Sequence, residues 1–590
     1  MPYLNKRVIR VALGQEAADL IVKGGKIVNV YTGRIYPADI AIADDRIAAV
    51  GNVDQCHGPN TTVYDASQKL IAPGLIDAHV HPEVSKITLT QFANAVLPRG
   101  NTSIVCSLDQ IGSVAGMEGM RWTLDEAKKT PLKVFHAGPS RLPYTTPAST
   151  LTHQFGPAEH SIAQKWPEAV GIWEYLSHSI MDFEEDVYQA AEMAIENRLG
   201  CHGHAPMARG SVLAACLAAG MRTEHETSNT EELAEKLDNG LYGIVRRGTH
   251  TDNIPECIKV VTQMNLPTNR LTLCTDDIDC TDLTELGLID YLVRYVIQFG
   301  IDPITAIQMA TINAAEAYRI DHLVGSITPG RIADLVLLSD LSSFAVEEVI
   351  ASGKLITQAG KLPQPIASPT YPPAFYNSMR LEKPITADQI YLKVNPALSE
   401  VKAMSIELKR IERVYRRHRR EIMLPVSAGK VLPDPTNDVL YATVTDRHSG
   451  HGTTIAAFVT GFKLKRGAIA TSVSPDDNNI ICIGASVEDM AIAINRLFAL
   501  GGGQIAVDSG TIAAEVALPV CGVMADIPAA EMAKMEKALT KAAQNMGCEY
   551  DRPFFRILFL SITGSPGYSI TDRGLIDNAK RTAINPILES

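Results

Sequence analysis

Between the first histidine pair and the middle of the chain lie eight short apolar runs, most ending in a charged or metal-binding residue. In order they are LIDAHVH (His79, His81), TSIVCSLD (Asp109), LKVFHAG, AVGIWE (Glu174), LGCHGH (His204), MRTEH (His225), LYGIVRR (Arg246) and RLTLCTDD (Asp276, Asp277). Segments with room or pattern for a helix separate most of them. This alternation is the layout of an α/β chain folded as an eight-stranded parallel (β/α)8 barrel. Chemistry in such barrels gathers at the C-terminal strand ends, so ligands scattered along the sequence meet in one ring.

The remaining sequence bounds the classes open to the chain. Its 590 residues call for two or three domains, and 46% hydrophobic with 20% charged residues fits a soluble globular protein. A formal net charge of −12 argues against a general nucleic-acid partner. The one basic cluster, Lys409, Arg410, Arg413, Arg416, Arg417, Arg419 and Arg420, has a spacing that suits an exposed helix or linker. Ten cysteines occur singly, without a CxxC pair, which points to reduced buried thiols and a cytoplasmic location. The first residues, MPYLNKRVIRVALG, lack the continuous apolar core of a secretory signal. No run is long enough to span a membrane, so no membrane partner is expected.

Residues about 17–70 alternate apolar and polar positions, with turns at Gly24-Gly25 and Asp44-Asp45, and a related pattern returns at about 325–365. The expected organisation is a composite β-sandwich domain from 1–70 plus 325–365, with the barrel inserted over 71–324. A Pro-rich linker follows at 366–394, then a C-terminal α+β domain over 395–590. Within the barrel, 183–200 reads as an amphipathic helix ended by Gly200, and 229–240 as a helix between an Asn229 or Thr230 N-cap and Gly240. Residues 283–299 and 303–316 read as two further helices, the second started by Asp302-Pro303. The C-terminal domain is expected to hold strands at TTIAAFVTGF, NIICIGA, GQIAVDSG and FFRILFLSI, and helices at SVEDMAIAINRLFALGGG and PAAEMAKMEKALTKAAQNMG.

His79 and His81 stand two apart in a strand, so both side chains point to one face and can share a metal. Glu174, His204, His225 and Asp276 each end a later strand. The set divides into His79, His81 and Asp276 for one ion, His204 and His225 for the other, and Glu174 between them. Imidazole and carboxylate donors suit zinc, iron, manganese or cobalt. A hydroxide shared by two such ions is nucleophilic at neutral pH, and Asp276 can act as general base and then general acid. The reaction class is hydrolysis at an electrophilic carbon: an amide, a cyclic amide or an amidine-like C–NH2.

These residues resemble the amidohydrolase superfamily, and within it the bacterial adenine deaminase family, almost end to end. APGLIDAHVHPE is similar to that family's HxH segment with its following glutamate, here Glu83. GIWEYL, GHAP, TEHE and TDD resemble the segments bearing Glu174, His204, His225 and Asp276-Asp277. GFKLKRGAIATSVSPDDNNIICIG and the Gly501–Gly503 run resemble the family's C-terminal domain, the most branch-specific part of the match. The resemblance implies two divalent ions (Mn, Fe or Zn), a purine or related heterocycle as small-molecule substrate, and attack of water on C6 of adenine to give hypoxanthine and ammonia. It further implies Asp276 as proton shuttle, Glu83 as catalytic donor to a ring nitrogen, Asp277 beside the departing amine and Arg246 positioning the base. Asp109 is a further substrate-facing candidate. An extra C-terminal domain is consistent with a homo-oligomer and with a lid over the site through Ser472–Asn479.

Four segments depart from the family pattern. Asp-Pro-His-Glu is replaced by Ser107, Leu108, Asp109 and Gln110; paired serines by Val84 and Ser85; Asp-Asp-Lys-His by Asp276, Asp277, Ile278 and Asp279; and His-Asp-Ser-His-Asn by Pro475, Asp476, Asp477, Asn478 and Asn479. They leave open another amino-heterocycle or a cyclic amide as substrate. A non-catalytic scaffold is the reading from a different class.

Overall fold

The computed structural model describes residues 5–411 and 414–589. The alternating N-terminal stretch folds into two small sheets. One pairs Leu20–Lys23, Asp39–Ala43, Arg46–Gly51 and Thr62–Asp65. The other joins Lys26–Asn29, Arg34–Pro37 and Leu70–Pro73 to three strands from beyond the barrel, Leu335–Leu338, Val346–Ala351 and Lys354–Leu355. Both flanks of the barrel meet there, Leu335 opposite Pro73 and Leu338 opposite Leu70. Ile27, Ile40, Ile71 and Leu335 belong to the core these sheets bury.

Eight consecutive parallel strands follow: β1 Leu75–Asp77, β2 Asn101–Cys106, β3 Lys133–Pro139, β4 Ala169–Leu176, β5 Gly200–His204, β6 Met221–Glu224, β7 Tyr242–Arg246 and β8 Leu271–Cys274. Each apolar run of the sequence supplies one strand. They are buried almost throughout, as strands covered on both faces must be. The ring closes through the ligand residues themselves. The Asp276 amide donates to the His79 carbonyl at 2.8 Å, and the His81 amide donates to the Asp276 carbonyl at 3.0 Å. Beneath this seam the buried Asp77 carboxylate accepts from the backbone amides of His79 and Thr275, each at 3.2 Å.

Helices cover the barrel, among them α1 Asp109–Ala127, α2 Glu185–Glu196, α3 Thr230–Asp238 and α4 Cys280–Glu285. Asn229 caps α3 by accepting from the Glu232 amide at 2.9 Å, and Gly240 follows its end at φ +86°. Gly200 does not end α2: the left-handed turn at Arg198 stops the helix, and Gly200 opens β5. Residues 283–299 and 303–316 each divide into two helices, Cys280–Glu285 with Ile289–Gln298 and Pro303–Met309 with Ile312–Ala317.

The Pro-rich segment is tied down, the Tyr371 hydroxyl donating to Glu126 of α1 at 2.6 Å. Beyond it a long hairpin, β9 Glu400–Ile411 and β10 Val414–Ser427, enters a large mixed sheet backed by α5 Val487–Leu500 and α6 Ala529–Asn545. Two expectations fail here. The basic run lies on this hairpin and not on a helix or linker; its Arg417 is buried, and Arg413 lies outside the described residues. FFRILFLSI forms helical turns, Pro553–Ile557 and Leu558–Leu560, with Pro553 at the first position. It is apolar on nearly every side, so periodicity could not separate helix from buried strand.

Candidate active site

At the C-terminal mouth of the barrel, six side chains from five strand ends face a common centre. Glu174 occupies the middle. Its Oε1 lies 3.3 Å from His79 Nε2, 3.5 Å from His81 Nε2 and 3.6 Å from His225 Nε2, while Oε2 lies 2.7 Å from His204 Nδ1. Asp276 Oδ1 stands 3.6 Å from His79 Nε2 and 3.5 Å from His81 Nε2. Four donor triplets result, His79–His225–Asp276, His79–His81–Glu174, Glu174–His204–His225 and His81–Asp276–Asp277. His204 Nε2 is buried without a hydrogen-bond partner, and His79 Nε2 and Glu174 Oε2 meet other ligand-type atoms of the ring. Buried polar atoms normally find one, so this converging set of unmatched donors fits divalent cations. The two carboxylates that must turn inward from their strand ends do so in the left-handed region, Glu174 at φ +48° and Asp276 at φ +59°. Trp173 stacks on the His79 ring with centroids 3.8 Å apart and fixes its plane. Burial alone would push the Glu174 carboxyl up, but His225 and His204 beside it hold it well below the usual range.

The other expected site residues divide into those on the cavity wall and those behind it. Asp109, Asp277 and Arg246 line the cavity. Asp109 also stands 3.4 Å from His81 Nδ1, where a carboxylate fixes the ring's tautomer and orientation. Burial and the adjacent Asp276 push Asp277 up. Arg246 is not free to face a ligand with its fork, which holds Glu226 at 2.6 and 3.0 Å and also contacts Asp276 Oδ2. Glu83 is buried behind the wall, against Leu108 and Ile111, with both carboxylate oxygens unpartnered. Its burial, and Asp109 nearby, raise its pKa.

Sequence reasoning missed Glu226. It directly follows the ligand-type His225, lies 3.6 Å from that ring's Nε2, and clamps Arg246 against Asp276. The second glutamate of TEHE was the available signal; that β7 brings an arginine opposite it was not.

Two of the four departing segments touch directly, and a third meets the residue that follows the fourth. Asn478 Nδ2 donates to the Gln110 carbonyl at 3.3 Å, and Cys280 Sγ approaches the Ser85 carbonyl at 3.1 Å. A change in one member of a pair therefore alters the surface its partner must fit. Asp279, the last residue of one departing segment, is the N-cap of α4, accepting from the Asp282 amide at 2.8 Å and from Arg552 Nε at 2.9 Å.

The C-terminal domain completes the cavity. Tyr415, Arg416 and Arg417 of β10, Pro475 with Asp476, and the 559–566 segment all line it. A side chain at Gly564 would begin 3.9 Å from His204 Nε2, so this segment lies directly over the centre. Arg417 shapes it from within: its guanidinium donates to the Phe559 carbonyl at 2.8 Å, the Ser569 hydroxyl at 2.7 Å and the Ser565 carbonyl at 3.1 Å.

Residues 70–356 match the family model for the amidohydrolase family, and residues 415–582 match that for the adenine deaminase C-terminal domain. The barrel and its histidine–carboxylate ring thus define a metal-binding amidohydrolase. Adenine deaminase 4 of Rhizobium meliloti is 43% identical, covering 99% of this chain and 97% of its own. Adenine deaminase 1 of Desulfotalea psychrophila is also 43% identical over 99% and 98%, and that of Latilactobacillus sakei 38% identical over 99% and 98%. The chain belongs to the adenine deaminase family.

Proposed function

We propose that this protein hydrolyses adenine to hypoxanthine and ammonia. The glutamate-centred ring of four histidines and Asp276, in a chain alike to adenine deaminases over its whole length, carries the reading. Two divalent ions (manganese, iron or zinc by donor chemistry) would be held by His79, His81 and Asp276 on one side and His204 and His225 on the other, with Glu174 between, and would acidify water so that it attacks at neutral pH. Asp276 accepts the proton of the attacking water and delivers it to the departing amine. Arg246, braced by Glu226, holds the other Asp276 oxygen and so fixes the direction of that transfer. Asp277 lies where the leaving amine departs. Glu83 acts through Asp109 and the wall it supports. The buried, unpaired cysteines are compatible with work in a reducing cytoplasm.

The test is ammonia release from adenine by protein of measured metal content, with hypoxanthine identified as co-product. Turnover with ring retention supports the reading. Absence of turnover in protein carrying two metals contradicts it. A second reading, another amino-heterocycle or a cyclic amide, is favoured by Asp109, Asp277 and Asp476 on the cavity wall. Ammonia from a different ring, or a new carboxylate without ammonia, would select it.

A further inference from the structure

The turn 474–479 of the C-terminal domain is fastened at Ser474, Asp477, Asn478 and Asn479. Asn478 donates to Ser113 Oγ at 2.8 Å and its amide to the Ser474 carbonyl at 2.7 Å. Asn479 accepts from the Arg447 amide at 3.2 Å, and the Asp477 carbonyl meets His448 Nε2 at 2.7 Å. Asp477 accepts from the Asn479 amide at 3.0 Å, and Ser474 meets the Ser561 hydroxyl at 2.9 Å. Among the described residues no hydrogen bond or ion pair meets the Asp476 carboxylate, the one carboxylate that this domain contributes to the cavity wall. It lies within electrostatic reach of His204, Glu174 and Asp109.

On the same wall stands Tyr144. It is 4% exposed; its hydroxyl faces Asp109 without a well-formed hydrogen bond, and its phenol shares the electrostatic environment of Glu174 and Asp476. A buried hydroxyl whose hydrogen bond is poorly made is costly, so a group entering the cavity can complete it. Acceptor and donor line the same cavity as the reacting centre.

Given the reading of the site as one for adenine, the 6-amino carbon must face Glu174, and the far edge of the ring then faces the C-terminal domain. That edge presents an N–H at position 9 next to a lone pair at position 3. We propose that Asp476 accepts the N9–H and Tyr144 donates to N3, so that the C-terminal domain selects the free base over any N9-substituted one. A carboxylate accepts an N–H and cannot accept an alkylated nitrogen, and a phenol complements a ring nitrogen but not a ring C–H.

The experiment compares kcat/KM for adenine, 9-methyladenine and 3-deazaadenine in the wild type, Asp476→Ala and Tyr144→Phe, each checked for metal content and melting temperature. The wild type should prefer adenine to 9-methyladenine by about 10- to 100-fold, the range for a hydrogen bond to a charged group. Asp476→Ala should lose about that factor on adenine, chiefly in KM, and little on 9-methyladenine, so the preference collapses. Tyr144→Phe should lose its factor on adenine but not on 3-deazaadenine. Adenine turnover with an unchanged preference in Asp476→Ala overturns the assignment while leaving the activity standing. An equal loss on both substrates also overturns it, since the residue would then only shape the lid. No adenine turnover by metal-loaded wild type removes the activity reading and this assignment with it.

Discussion

The floor and the roof of the active site are built by opposite means. The floor consists of strand ends: every metal-type donor follows an apolar run, and the barrel closes by backbone hydrogen bonds through His79, His81 and Asp276 themselves. The roof consists of segments from a separate domain, fastened to the barrel by a shared apolar core and by many polar contacts, among them Asn478 to Ser113, Lys86 to Glu536, Arg552 to Asp279 and Thr150 to Asp572. A ligand on the floor is positioned by the fold as a whole. A residue in the roof is positioned by its own fastenings. Chemistry therefore depends on the floor, while discrimination between substrates can change in the roof without touching the metal ring.

The largest effect should come from the floor. Asp276→Asn removes the proton carrier, and kcat should fall at least about a thousandfold, since general acid–base catalysis contributes in this range. Steady-state ammonia release alongside adenine binding measures it, and activity within tenfold of the wild type would refute the shuttle. Next is the joint between floor and roof. Lys86 and Glu536 are both buried at 2.9 Å, and Glu536 also accepts from the Thr281 amide of α4 at 2.8 Å. Lys86→Ala strands that carboxylate and should cost about 3 kcal/mol of stability. Denaturant unfolding reads it, and a cost below about 1 kcal/mol would mean that the joint is solvated.

The third prediction separates general stability from either region. His160 is buried beneath the barrel wall, donating to the Pro139 carbonyl at 2.9 Å, and burial pushes its pKa down to about 4. Its folded pKa lies below the unfolded value of about 6.5, so the unfolded chain binds the proton more readily. The stability it supports is whole above pH 6.5 and is lost as pH falls towards 4. Between pH 7 and 4.5, His160→Gln should lose about 2 kcal/mol less than the wild type; parallel curves would contradict this. The smallest effect belongs to the roof alone. Asn478→Ala should cost about 1 kcal/mol and raise hydrogen exchange at 472–480 while leaving β1–β8 unchanged. Faster exchange in the barrel strands would show that floor and roof are not separable.

The same division governs how much could be read from sequence. All eight barrel strands were legible, because doubly covered parallel strands write themselves as apolar runs and their ends carry the ligands. The roof was not. Apart from Arg556 and Ser561, FFRILFLSI is apolar, and its helical form follows from Pro553 and from packing that no local pattern reveals. The basic run at 409–420 suggests a solvated surface, yet Arg417 is buried among carbonyls of the segment over His204, a partner almost 150 residues away. Glu226 and Arg246 are individually visible, but their clamp on Asp276 needs the adjacency of β6, β7 and β8. Asp279 shows the converse: a carboxylate next to the catalytic pair in sequence faces away from it, because α4 begins there and takes it as a cap.

The proposed function requires Glu174 to stand between two ions on the barrel floor. Metal content per chain, measured on wild type and Glu174→Gln purified with manganese or iron, tests it most directly. Two equivalents in the wild type and one or fewer in the variant are the predicted result. Two full equivalents retained by Glu174→Gln would show that the glutamate is not the bridge.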